Sequence, residues 1–201
     1  MPRDEDYSRK KLERLMPIFY HAAVKGVREV LDDYPRHGHK HRTNTRRSIV
    51  RDHIVDHLRA DLMTDPEVSI KEKNQTTYFG ICSEFRLLAK RATPDGLVAL
   101  NSNQSSFAFQ DNRQSIMFAS ADLPADTTNI YLSYSDNPID PREPFVYLIC
   151  PKEDGYHWRI EIEPPAAAEV VEIKRDTPPD DGDDMELIRI PEQPKPDTSE
   201  T

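Results

Sequence analysis

Six cationic side chains fall within a short stretch at Arg36, Lys40, Arg42, Arg46, Arg47 and Arg51, and His37, His39 and His41 alternate among the first of them. Guanidinium groups present fixed forks of donors that match phosphate and carboxylate oxygens, so the chemistry on offer is capture of an anion. Arg42, Arg46, Arg47 and Arg51 cluster at the amino end of a predicted helix, where free backbone N–H groups and the helix dipole already favour negative charge. A nucleic-acid backbone fits this description, and so do an acidic protein partner and the chain's own acidic tail.

His53 and His57 stand one helical turn apart, a spacing that lets two imidazoles share one metal ion. Zinc needs three or four converging ligands, and the alternating histidines lie among Arg36, Lys40 and Arg42, which repel a dication. Neither a metal site nor any other cofactor is therefore expected, and His53 and His57 are the residues that would carry a metal. In His53-Ile54-Val55-Asp56-His57 the zincin general base is missing, since Ile54 stands where Glu is required.

A Mg²⁺-dependent nuclease would need an acid two residues before a strand lysine, and Leu88-Ala89-Lys90 has none. Glu84 and Lys90 are expected on one strand face, which Glu29 or Asp52 could join after folding; a solvated face is the expected outcome. Cys82 and Cys150 fall in apolar runs, where thiols act as inert fillers. The chain has no GxSxG and only 6 glycines, too few for a phosphate-cradling loop. An enzyme is not expected.

The elements that must position these residues follow from apolar periodicity. Leu12, Leu15, Met16, Phe19, Ala23, Val27, Val30 and Leu31 recur at helical spacing over residues 8–34, with a break expected at Pro17. Val50, Ile54, Leu58 and Leu62 give a second helix over 45–62, with Thr43, Asn44 or Thr45 as its cap. The period then falls to two, predicting strands at 68–70, 79–87, 97–100, 105–109, 115–119, 129–134, 145–150 and 156–163. In the last, Tyr156, Trp158, Ile160 and Ile162 are expected to share a face. The fold class is therefore α+β: two N-terminal helices packed on one mainly antiparallel sheet.

Net charge is -9, split as +5 over residues 1–60, -7 over 61–163 and -7 over 164–201. The last segment holds seven of the 17 prolines and buries too little apolar surface to offset its ordering entropy. One domain over 8–163 is expected, with a disordered N-terminus at 1–7 and a disordered, acidic, Pro-rich tail at 164–201. The alternating tail residues Met185, Leu187, Ile188 and Ile190 could add a strand to a partner's sheet edge. No run is apolar enough to span a membrane, and two cysteines without a CxxC pair suit a reducing compartment, so a cytoplasmic location is expected.

The order RSIVRDHIVDHLR (Arg47 to Arg59), FRLLAKR (Phe85 to Arg91), a polar N-x-x-Q (Asn101 to Gln104), IYLSY (Ile130 to Tyr134), LICP (Leu148 to Pro151) and WRIEI (Trp158 to Ile162) resembles a group of small uncharacterised bacterial proteins. Their genes lie beside ImmA/IrrE-type metallopeptidases and helix-turn-helix regulators. The resemblance implies a non-catalytic interaction or regulatory protein of a mobile-element or toxin-antitoxin-like operon, with a neighbouring gene product as its protein partner. It carries no catalytic residue with it. The alternative is a nucleic-acid-binding or degenerate nuclease-like protein using the basic region 36–51.

Because the tail lacks a core-forming pattern, removing residues 164–201 is expected to leave thermal stability unchanged. A fall in Tm of more than about 4 °C, on the order of 1 kcal/mol for a domain of this size, would show that the tail packs on the domain.

Overall fold

The computed structural model describes residues 1–33, 42–73, 75–93, 127–153 and 155–165, with the single positions 95, 97, 98, 109, 110 and 112. Arg36, Lys40, His37, His39 and His41 lie outside the described residues, as does the chain from Ala166 on with Met185, Leu187, Ile188 and Ile190. Helices at the N-terminal end and a six-stranded, mainly antiparallel sheet build the unit Met1–Ala166, the α+β class expected. Among the described residues no helix is long and apolar enough to cross a membrane.

Helix α1 (Glu5–Leu12) starts on Asp4, whose carboxylate accepts from the Tyr7 backbone N–H at 2.8 Å. Glu5 and Asp6 in its first turn and Arg9, Lys10 and Lys11 in its last complement the helix dipole. A 3-10 turn (Glu13–Leu15) follows, and α2 (Met16–Asp33) restarts with Pro17 in its first turn, where the missing N–H has no partner to lose. The expected break is thus real. The first seven residues do not stand outside the fold, because the Arg3 N–H donates to Thr128 Oγ1 at 2.9 Å and Trp158 Nε1 donates to the Arg3 carbonyl at 2.8 Å.

Helix α3 (Thr43–Leu62) starts earlier than its apolar pattern predicts, and Arg42 takes the cap position without a side-chain bond; Thr43, Asn44 and Thr45 lie inside the first turn. Its buried residues Ile54, Leu58 and Leu62 all sit in the carboxyl half, at roughly 1.5–3 kcal/mol each. Helices α2 and α3 meet closely at Gly26, where a Cβ would stand 2.6 Å from Ile54 Cγ1 and 2.9 Å from the Ile54 backbone nitrogen.

Strands β1 (Val68–Lys73), β2 (Thr76–Ile81), β3 (Phe85–Arg91), β4 (Thr128–Ser135), β5 (Phe145–Lys152) and β6 (Gly155–Glu161) lie in the sheet in sequence order. Every neighbouring pair is antiparallel except β3 and β4, which run parallel. A parallel pair needs a crossover, and the chain between Arg91 and Thr128 supplies it. This is where several expected strands fall. Val98 makes only an isolated bridge to Ala92, and Phe109 and Gln110 are helical instead of ending a strand; residues 115–119 lie outside the described residues.

One face of the sheet joins the helices in the main core, through side chains such as Phe79, Phe85, Leu87, Ile130, Leu148 and Trp158. The other carries a smaller cluster of Ala92, Phe109, Tyr131, Tyr147 and Ile149. The expected alternation of β6 fails at one end. A register shift between Cys150 and Pro151 pairs Trp158 with Cys150 but Tyr156 with Pro151, so Tyr156 is exposed while Trp158, Ile160 and Ile162 are buried. Cys82 is likewise not a strand filler: with Ser83 it forms the β2–β3 turn at φ of 51° and 55°, half-buried, and only Cys150 is buried.

Gly26→Ala sets a helix-propensity gain of about 1 kcal/mol against overpacking of about 1–3 kcal/mol or more. Overpacking wins, because the Ile54 backbone nitrogen cannot rotate away from the new Cβ. The expected result is a fall in Tm of about 3–8 °C, measured by thermal unfolding at neutral pH.

Candidate functional site

The amino half of α3 projects its cationic side chains away from the core. Residues 42–48 are exposed, the first turn contains no acid, and Arg42 provides no side-chain cap, so nothing among the described residues of this first turn compensates the positive end of the helix dipole. Tyr134 Oη anchors this half by donating to the Arg47 carbonyl at 3.3 Å, and burial pushes the Tyr134 phenol far above its ordinary value, so it remains a neutral donor.

Pairing separates these arginines from the others. Arg3 meets Glu84, Arg9 meets Glu5, Arg14 bridges Asp65 and Glu67, Arg28 meets Glu143, and Arg59 meets Glu72. Arg91 meets Asp136, Arg142 meets Asp32, Arg86 donates to Asn129, and Arg159 lies over the rings of Tyr147 and Tyr156. Of the cluster expected to bind polyanions, Arg51 is partly neutralised by Asp52 at 2.7 Å. Arg42, Arg46 and Arg47 have no acidic partner among the described residues.

Lys90, which the sequence places among nuclease candidates, and Arg91 lie close to this surface. Lys90 holds its ammonium 5.4 Å from the Tyr131 ring centroid, and its pKa is lowered first by burial and then by the nearby Arg51 charge. Arg91 follows it on β3. Only the packing of α3 across the end of β3 makes them neighbours of the basic cluster.

The groups that a nuclease would need are dispersed. Glu84 sits in the turn before β3, accepting from Tyr7 Oη at 2.7 Å and pairing with Arg3 at 3.3 Å and Lys11 at 3.8 Å. Lys90 is over Tyr131, Asp52 is on Arg51 and Glu29 is on α2 with two histidines, so the structure does not bring these four together. A cleft of about 520 Å³ opens between α2, the β4–β5 loop and the end of β6, and several of its polar groups bond one another. Tyr20 and Arg28 both bond Glu143 there.

His53 and His57 do converge, on a carboxylate. His53 Nδ1 is 2.9 Å and His57 Nε2 2.8 Å from the same oxygen, Glu29 Oε2. Both hydrogen bonds, that of His57 foremost, favour the ionised carboxylate and hold the Glu29 pKa below its ordinary value against a smaller opposing effect of burial. Among the described residues no group of three or more His, Cys, Asp or Glu has the arrangement to hold a metal ion.

No protein-family model matches the chain, and no curated protein or solved structure matches it either. The functional reading therefore rests on the geometry alone.

Because its folded pKa is depressed, Glu29 adds stability that is present above its unfolded value, near 4.5, and lost as pH falls through the lower folded value. Wild type is thus expected to exceed Glu29→Gln in Tm at pH 7, with the gap closing below about pH 4. A gap that stays constant from pH 7 to pH 3 in thermal unfolding would show that the clamp adds nothing through its charge.

Proposed function

We propose that the protein acts by binding and not by catalysis, and that the start of α3 docks on the phosphate backbone of a nucleic acid. The observation that carries this reading is the pairing contrast: every other described arginine has a partner on the chain, whereas Arg42, Arg46 and Arg47 have none among the described residues. Exposed guanidinium groups beside an uncapped helix terminus give charge-assisted contacts to phosphate oxygens and carry no base-specific information. The cluster therefore positions a backbone without reading a sequence.

A second reading, a regulatory protein that binds the product of a neighbouring gene, is favoured by the sheet edges. Among the described residues β1 and β6 each have a hydrogen-bonded neighbour on one side only, which leaves two edges where an extended partner segment could pair. Purification with co-expressed neighbours, with and without nuclease treatment, separates the two readings.

For the first reading, mixed-sequence double-stranded DNA is expected to bind at low affinity and low salt. Each phosphate contact steepens the log–log salt dependence by about 0.9. Reversing charge at Arg42, Arg46 and Arg47 should flatten that slope by about 3 while leaving Tm unchanged, since all three side chains are exposed. Undiminished binding by that variant would refute the assignment.

A further inference from the structure

The Glu29 clamp occupies the same helix face as part of the unpartnered arginine cluster. From Arg42 the intervals to Arg46, His53 and His57 are four, seven and four residues, the repeat that keeps side chains on one side of a helix. Along this side the two arginines come first and the two imidazoles follow. The imidazoles aim Nδ1 of His53 and Nε2 of His57 at a single oxygen, at 2.9 and 2.8 Å. Two N–H donors converging on one oxygen are also what an oxyanion requires, so Glu29 Oε2 marks a position that a phosphate oxygen could fill. The position is reachable from solvent, with the side chains of His53 and Glu29 36% and 40% exposed and that of His57 19%.

We infer that His53 and His57 are the second half of the anion-binding stripe on α3, and that Glu29 is its internal competitor, holding in the free protein the donors that a phosphate takes in the complex. This rests on the reading of α3 as a phosphate-docking helix. The surrounding charges are consistent with it. From α2 the charge facing the pair is Glu29; from β3, Lys90 lies near Arg51, and Arg91, paired with Asp136, lies near Tyr134. On α3 itself Asp52 is paired with Arg51 and Asp56 is exposed. The one carboxylate placed between the imidazoles is therefore the one a phosphate must displace, and its removal takes away a repulsion and frees both donors.

The test uses the full chain and a short mixed-sequence duplex DNA at low salt. Glu29→Gln is expected to bind at least about threefold more tightly than wild type, because a like charge next to the incoming phosphate is gone. His53→Gln with His57→Gln is expected to bind about tenfold more weakly, with two charge-assisted donors lost. Should the double variant fail to fold, the ring C–H NMR signals of His53 and His57 in wild type decide: they should shift on addition of duplex. If duplex binds but Glu29→Gln matches wild type, or the ring signals stay fixed, the inference is overturned and the docking reading survives. If neither wild type nor Glu29→Gln binds, or if reversal of Arg42, Arg46 and Arg47 leaves binding intact, the docking reading falls and this inference with it.

Discussion

All eight residues of β4 are buried, so the sheet must be covered on both faces along its centre. The helices meet one half of that demand through Ile130, Leu132 and Tyr134. On the other face Phe109 stacks on Tyr131 at 4.9 Å between ring centroids, and three amide side chains tie the cover to the strands. Asn112 donates to the Pro151 carbonyl, Gln110 to the Lys152 carbonyl, and the Asn129 amide to the Phe109 carbonyl. Neutral amides suit this task, because a buried polar group that keeps its hydrogen bonds costs far less than an unpaired one. The parallel joint between β3 and β4 is what makes a covering segment obligatory, since the crossover has to traverse a face of the sheet.

Helix α3 divides according to the same constraint. Its carboxyl half supplies the buried aliphatics Ile54, Leu58 and Leu62, whereas residues 42–48 at its amino end are exposed. Charge can accumulate there at little cost to folding. The Glu29 clamp lies about one helical turn along α2 from the Gly26 contact and ties the two helices together through polar groups. A carboxylate that is favourable for the free fold is unfavourable for an incoming anion, so stability and binding oppose each other at this residue.

Much of this architecture is legible in the sequence, for identifiable reasons. Helix periods at Ile54, Leu58 and Leu62, and the alternation of Trp158, Ile160 and Ile162, report burial directly because each element covers one partner surface. Tyr156 breaks that alternation through a bulge, which no composition signal announces. Cys82 and Ser83 adopt positive φ at the two central positions of the Ile81–Glu84 turn, where Asn-Gly is the usual signal, so the turn is hidden. The alternating residues between Arg91 and Thr128 resemble strands although Phe109 belongs to a cover, since a short apolar run against a sheet face looks the same in either role. In the site, the arginines at the start of α3 are visible from type and spacing. Glu29 is not, because its partnership with His53 and His57 spans 24 and 28 residues and exists only after the helices pack. Lys90 and Arg91 are hidden for the same reason.

The N-terminal strap has a consequence for the order in which the chain matures. Arg3 bonds Thr128 across 125 residues and Trp158 across 155, so this segment, made before the rest of the domain, waits for partners made near the domain's end. Until then the helices can pair with each other and β1, β2 and β3 can form their local antiparallel meander, but Arg3 has neither Thr128 nor Trp158 to bond. Strands β4, β5 and β6 form a second local meander after it. The two halves join through the least local pairing in the sheet, whose loop-closure cost falls due before any of its contacts are gained. During synthesis the nascent domain therefore carries an unpaired β3 edge and an unattached strap together, a state open to edge-to-edge association until β4 is made.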